Sequence, residues 1–124
     1  SRCYEFSMER LRKLTRAEEN VIQLIVACAT LRHVKTLQQF HWEIERELAT
    51  GPLYVYSKFP AVKLLSWLEH PNQRTQVGEF FNLIKDIQKI SKEKRWNLDL
   101  HMGNIMARDD GTPVIIDPWC NTGR

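Results

Sequence analysis

The first glycine in this chain is Gly51. A stretch of 50 residues without glycine lacks the usual turn punctuation, so the N-terminal part is predicted to be largely helical, then extended. Thr15 followed by Glu18 is a capping box, in which each side chain satisfies the other residue's free backbone N–H. A helix over Arg16 to Arg32 is expected behind it, with Val21, Ile22, Leu24, Ile25, Cys28, Ala29 and Leu31 covering most of its surface. A shorter helix over Ser7 to Leu14 is expected to precede it.

The hydrophobic period then changes from 3.6 to 2. Phe40, Trp42 and Ile44 alternate with His41, Glu43 and Glu45, which predicts a half-buried strand. Ala49-Thr50-Gly51-Pro52 reads as a turn and Leu53 to Tyr56 as a second strand, giving an antiparallel pair. Phe59-Pro60 ends the extension, and a short helix over Val62 to Glu69 stops at His70-Pro71. From Thr75, the residues Val77, Phe80, Phe81, Leu83, Ile84, Ile87 and Ile90 follow the three-and-four spacing of a long helix. Lys92, Lys94 and Arg95 load its C-terminal end, where cations offset the helix dipole. Short elements follow: Asn97 to Leu100, a turn at Gly103, a strand at Asn104 to Met106, a hairpin turn at Asp109-Asp110-Gly111, and a buried strand at Val114 to Ile116.

Composition narrows the function classes. At 124 residues, 43% hydrophobic and 27% charged, the chain is expected to form one globular domain, too rich in apolar residues for intrinsic disorder. Its most apolar stretch, Val21 to Ala29, is nine residues with a Gln inside, far short of the roughly 20 that a membrane span needs. The chain opens on Ser1 with no charged-then-apolar leader, which predicts a processed start or a piece of something larger. Cys3, Cys28 and Cys120 are odd in number and widely spaced, which fits a reducing, cytoplasmic setting better than a disulfide framework or zinc site. The net charge of +3 is spread over two clusters, Arg10 to Arg16 and Lys85 to Arg95, both mixed with acids. These read as solvated helix faces rather than a polyanion groove. Trp42, Trp67, Trp96 and Trp119 lack the basic interleaving of a base-stacking platform and read as core or interface residues.

The chemistry concentrates in Asp99-Leu-His-Met-Gly-Asn104 and in Asp117 after the hairpin. Asp99 and Asn104 stand five apart across a glycine-containing loop, and Asp117 ends the strand that pairs back toward Asn104. A carboxylate and an amide converging from two strand ends form an oxygen-rich site suited to magnesium, which keeps room for substrate phosphates. A third carboxylate at the loop start can accept a proton from an attacking hydroxyl. A metallohydrolase built on His101, Asp99 and Asp117 is the weaker reading, since it needs a further ligand that the sequence does not place.

Asp99-x-x-x-x-Asn104 with Asp117 thirteen residues on resembles the catalytic loop and metal-binding segment of the protein-kinase-like phosphotransferases. The string Asp-Leu-His-Met-Gly-Asn-Ile-Met is nearer the aminoglycoside-kinase and atypical-kinase wording. With its final Ile-Ile-Asp117-Pro118 it is also similar to the early Ser/Thr protein kinases of T7-like bacteriophages. The resemblance spans Asn97 to Pro118. It implies an α+β kinase-like core in a single domain, with 1–60 a remnant of the N-lobe and hinge and 61–124 the C-lobe helices and catalytic loop. It implies Mg2+ and ATP as cofactors, a protein Ser/Thr substrate or a host protein as partner, and a bacterial host cell as the setting. Asp99 takes the catalytic-base position, Asn104 and Asp117 the metal positions, and His101 a place near the transferred phosphoryl group. Tyr54 to Pro60 takes the last N-lobe strand and hinge, so that Lys58, Phe59 and Ala61 line the adenine pocket. The chain departs from the pattern in having no glycine-rich loop, no Val-Ala-x-Lys-like strand, and Pro118-Trp119 after Asp117. These departures imply a fragment or reduced form, and make a catalytically degenerate module that binds and inhibits a host protein the alternative function.

Overall fold

The computed structural model describes residues 10–50, 55–116 and 119–120, with side chains for 10–50 and 59–116. Helices α1 (Arg16–Ala29), α2 (Leu37–Thr50), α3 (Val55–Leu68) and α4 (Pro71–Lys94) precede strands β1 (Asn97–Leu98), β2 (Ile105–Ala107), β3 (Pro113–Ile115) and β4 (Trp119–Cys120). This is a mostly helical small domain with short antiparallel strand pairs, β2 with β3 and β1 with β4. No helix among the described residues is long and apolar enough to cross a membrane.

Helix α1 starts where its capping box requires. The Glu18 backbone N–H donates to Thr15 Oγ1 at 3.2 Å, and the Thr15 N–H donates to Glu18 Oε1 at 2.8 Å. The helix ends at Ala29, three residues sooner than expected, and the carbonyls just past its end are met by side chains of α4. Gln88 Nε2 donates to the Thr30 carbonyl at 3.0 Å and Lys85 Nζ to that of Leu31 at 3.2 Å, placing a cation at the negative end of α1. Burial, then the charge of Lys35, draws the Lys85 ammonium below its ordinary pKa.

The expected helix before α1 is not formed at residues 10–14, and residues 1–9 lie outside the described part. Arg12 instead pairs with Ala107 of β2, each backbone N–H donating to the other's carbonyl at 2.8 Å. Its guanidinium then forks onto both Glu18 carboxylate oxygens at 2.8 Å. One residue therefore joins the hairpin to the first turn of α1. The Arg12 hydrogen bonds pull the Glu18 carboxyl from its ordinary 4.5 down to about 2.

The expected strand pair over Phe40 to Ile44 and Leu53 to Tyr56 is replaced by helix. Residues 37–50 are α2, and 55–56 open α3; Leu53 and Tyr54 lie outside the described residues. Phe40 and Ile44, both fully buried, are four apart and share one helix face, whereas Trp42 between them is 59% exposed. The turn expected at Ala49 and Thr50 is the end of this helix. Glu43 joins the buried face because its carboxylate is paired: His33 Nε2 lies 3.1 Å from Oε1 and Arg46 donates to Oε2 at 2.9 Å. A second capping box, unrecognised in the sequence, starts α2. The Gln39 N–H donates to Thr36 Oγ1 and the Thr36 N–H to Gln39 Oε1, both at 3.1 Å.

Pro60 does not end an extended segment; it lies inside α3, the missing N–H notwithstanding. Ala61, Leu64 and Leu68 follow it at helical spacing, and their complete or nearly complete burial offsets the lost hydrogen bond. Pro71, read as a stop, is also the first residue of α4, where its fixed φ suits a helix start. Helix α4 runs 24 residues, about 36 Å, and buries Val77, Phe80, Phe81, Ile84 and Ile87; Leu83 is turned out. Phe81 meets Phe40 of α2 with ring centroids 5.2 Å apart in a tilted pair. Arg95 takes a left-handed φ of 58° at the C-terminus, and the chain turns into β1.

Truncating Phe81 or Ile84 to Ala is expected to cost roughly 2–5 kcal/mol each, measured by chemical denaturation, because both side chains are 1% exposed or less at the centre of the core. The Glu18 shift gives a pH signature. A depressed carboxyl stabilises the fold above its unfolded value and loses that contribution as pH falls. The difference in melting temperature between wild type and Glu18→Gln should therefore be full at neutral pH and close between about pH 4.5 and about 2.

Candidate functional site

The loop from Asp99 to Asn104 is held by alternate residues. Leu100 and Met102 pack against the hydrophobic core, Ile105 is buried, and Asp99 and His101 are left facing outward. Met102–Asn104 form one turn of 3-10 helix, tightened by the Asn104 N–H donating to the His101 carbonyl at 2.9 Å. The two residues expected to converge do so. Asn104 Nδ2 donates to the Asp99 carbonyl at 2.9 Å and to its carboxylate Oδ2 at 3.1 Å. With its amide hydrogens spent on Asp99, Asn104 keeps its amide oxygen as an acceptor. His101 Nε2 lies 3.4 Å from Asp99 Oδ1, and His101 Nδ1 accepts the Gly103 N–H at 2.9 Å.

The hairpin carries the loop as expected, with one change of environment. Ile105 pairs with Ile115, Met106 with Val114 and Ala107 with Pro113. Strand β3 is half-buried rather than buried, because a two-stranded ribbon packs only one face on the helices. At its tip Asp110 Oδ1 accepts the Thr112 N–H at 2.9 Å; hydrogen bonding from the Thr112 side chain, then from this N–H, holds the Asp110 carboxyl below its ordinary pKa. Gly111 supplies a φ of 92° that other residues rarely adopt. At the hairpin base the Ile116 N–H donates to the Asn104 carbonyl at 2.9 Å. Asp117, the second expected metal position, follows Ile116 and lies outside the described residues.

The expected hinge is not extended backbone. Residues 55–68 are α3, whose N–H groups beyond the first turn are engaged within the helix. Phe59 is 86% exposed and Ala61 is buried in the core; the Lys58 side chain lies outside the described residues. A cavity of about 410 Å³ is lined by Val21 and Ile25 of α1, Lys63 and Trp67 of α3, Phe80 of α4 and the hairpin tip at Gly111. It is thus at the end of the hairpin away from Asn104, and Asp99 and Asn104 do not line it.

The other candidates resolve simply. Cys28 is a free buried thiol whose pKa burial, ahead of the nearby Glu47 and Glu43, pushes up to about 12, so it is an inert core residue. Trp42 and Trp96 are about half exposed or more rather than core residues. Among the described residues no three His, Cys, Asp or Glu side chains are grouped to hold a metal ion. Arg12, which ties the hairpin to α1, carried no signal of that role in the sequence, whereas Gly103, expected as a turn, lies against His101 in the loop. Comparison with protein-family models, with curated proteins and with solved structures found no match for this chain.

Proposed function

We propose that the Asp99–Asn104 loop is the centre of a Mg/ATP-dependent phosphotransferase that transfers a phosphoryl group to a protein Ser or Thr hydroxyl, in the manner of the phage-type kinases its wording resembles. The observation that carries this reading is the grip of Asn104 Nδ2 on both the carbonyl and the carboxylate of Asp99. That grip fixes the carboxylate at the start of the loop and spends only the amide hydrogens of Asn104, so that its amide oxygen remains an acceptor. Asp99, with its side chain 34% exposed, can reach an incoming hydroxyl and accept its proton. The donor set fits magnesium, a hard cation that accepts few protein oxygens: the Asn104 amide oxygen, with the Asp117 carboxylate, would hold it. When bound, the ion neutralises charge on the β- and γ-phosphates. The residues themselves hold the Asp99 carboxylate in place and set the loop on the core through Leu100, Met102 and Ile105.

A partner-binding role without catalysis is the second reading. It is favoured by the three helices α1 to α3 that precede α4 where a nucleotide-gripping sheet would stand. The two separate under substitution. With phosphate-gripping groups so few, Mg-ATP should bind weakly, on the order of 0.1–1 mM by calorimetry. In a labelled-ATP transfer assay Asp99→Asn should preserve nucleotide binding and depress transfer roughly 10²–10⁴-fold. Asp117→Ala should abolish metal-dependent binding and transfer together. If both variants keep the full biological effect of the wild-type chain, the non-catalytic reading stands and the phosphotransferase reading falls.

A further inference from the structure

The His101 ring is held at two points. The backbone N–H of Gly103 donates to Nδ1 at 2.9 Å, and an amide N–H can only donate, so Nδ1 presents its lone pair. The single proton of the neutral ring therefore resides on Nε2, which lies 3.4 Å from Asp99 Oδ1. The other carboxylate oxygen, Oδ2, takes the Asn104 amide at 3.1 Å. Each Asp99 carboxylate oxygen thus has a nitrogen of a loop residue near it, Asn104 Nδ2 at Oδ2 and His101 Nε2 at Oδ1.

Gly103 bears independently on the same arrangement. Its φ is not among the positive values, so its backbone does not require glycine. A Cβ at 103 would instead come 2.7 Å from His101 Cε1 and 2.9 Å from Nδ1, contacts that force the ring to move. The absence of a side chain at 103 is what lets the imidazole lie back over the turn with Nε2 toward Asp99. The ring is 61% exposed, so burial contributes little to holding it there.

From this geometry we infer that His101 is a positioning residue: as the Nε2–H tautomer it orients the Asp99 carboxylate, and it acts on phosphoryl transfer through Asp99 rather than by gripping phosphate. The inference rests on the phosphotransferase reading for its kinetic consequence, though not for its structural one. A contact of 3.4 Å is long for a hydrogen bond, and contacts of this kind commonly tighten when the acceptor and nucleotide are in place.

Two measurements on the full chain test it. Long-range ¹⁵N–¹H spectra at neutral pH, with His101 assigned by its loss in His101→Gln, should show the Nε2–H pattern, and Asp99→Asn and Gly103→Ala should each shift it. An Nδ1–H pattern, or indifference to both substitutions, would overturn the inference. In the transfer assay His101→Ala should lower kcat about 10–10²-fold, the scale of a misoriented catalytic group, with KM for ATP and melting temperature near wild type. His101→Gln, which keeps an amide donor near the Nε2 position, should recover part of that loss. A raised KM for ATP with kcat preserved would instead make His101 a phosphate ligand and overturn the positioning role. If wild type transfers no phosphate, the functional reading fails, and the tautomer spectra alone decide the His101–Asp99 contact.

Discussion

The apolar face of α4 is the surface on which every other element depends. Val77, Phe80, Phe81 and Ile84 supply the centre of a core that α1, α2 and α3 close from the other sides. Phe81 against Phe40 joins α4 to α2, while Lys85 and Gln88 on the next turns bond the carbonyls of Leu31 and Thr30 just past α1. The same helix ends in the left-handed turn at Arg95 that delivers the chain to β1 and then Asp99. Core and site therefore share one rigid support. Asp99, directly after a strand of only two residues, is held in place because α4 leads into that strand and Leu100 follows Asp99 into the core.

The hairpin needs a second attachment, because a two-stranded ribbon is marginal in water without packing. Ile105 and Ile115 provide apolar contact on one face, and Arg12 provides the other tie. Its backbone extends the ladder by one bridge at Ala107 while its guanidinium engages Glu18. Glu18 thereby serves the α1 cap and the hairpin strut with one carboxylate. That double use explains why its pKa falls so far although it is not deeply buried.

Within the loop, hydrogen bonding is local. Asn104 and His101 both aim donors at Asp99, and the backbone of Gly103 and Asn104 folds back on His101. Such a closed set fixes a carboxylate with little burial, which suits a group that must stay reachable. The cavity at the opposite end of the hairpin shares no lining residue with this loop, so the two are separate features of the molecule.

What the amino-acid order determined by itself was local. The Thr15–Glu18 box set the start of α1, the three-and-four spacing from Val77 set the buried face of α4, and Asp110-Gly111 set the hairpin turn. The spacing of Asp99 and Asn104 across a tight loop was enough to bring them together. A box at Thr36 and Gln39 was equally legible and would have corrected the strand expected at Phe40 to Ile44. Those two residues satisfy a period of 2 and a spacing of four alike, and only the partner surface on α3 and α4 selects between them. The helix through Pro60 was likewise decided by tertiary burial of Ala61, Leu64 and Leu68, which outweighs a local breaker. The Arg12 bridge and the orientation of His101 were beyond sequence reasoning for a related reason. Each depends on where a distant strand or a neighbouring backbone N–H lies in space, and a donor's direction is not encoded until the chain around it has packed.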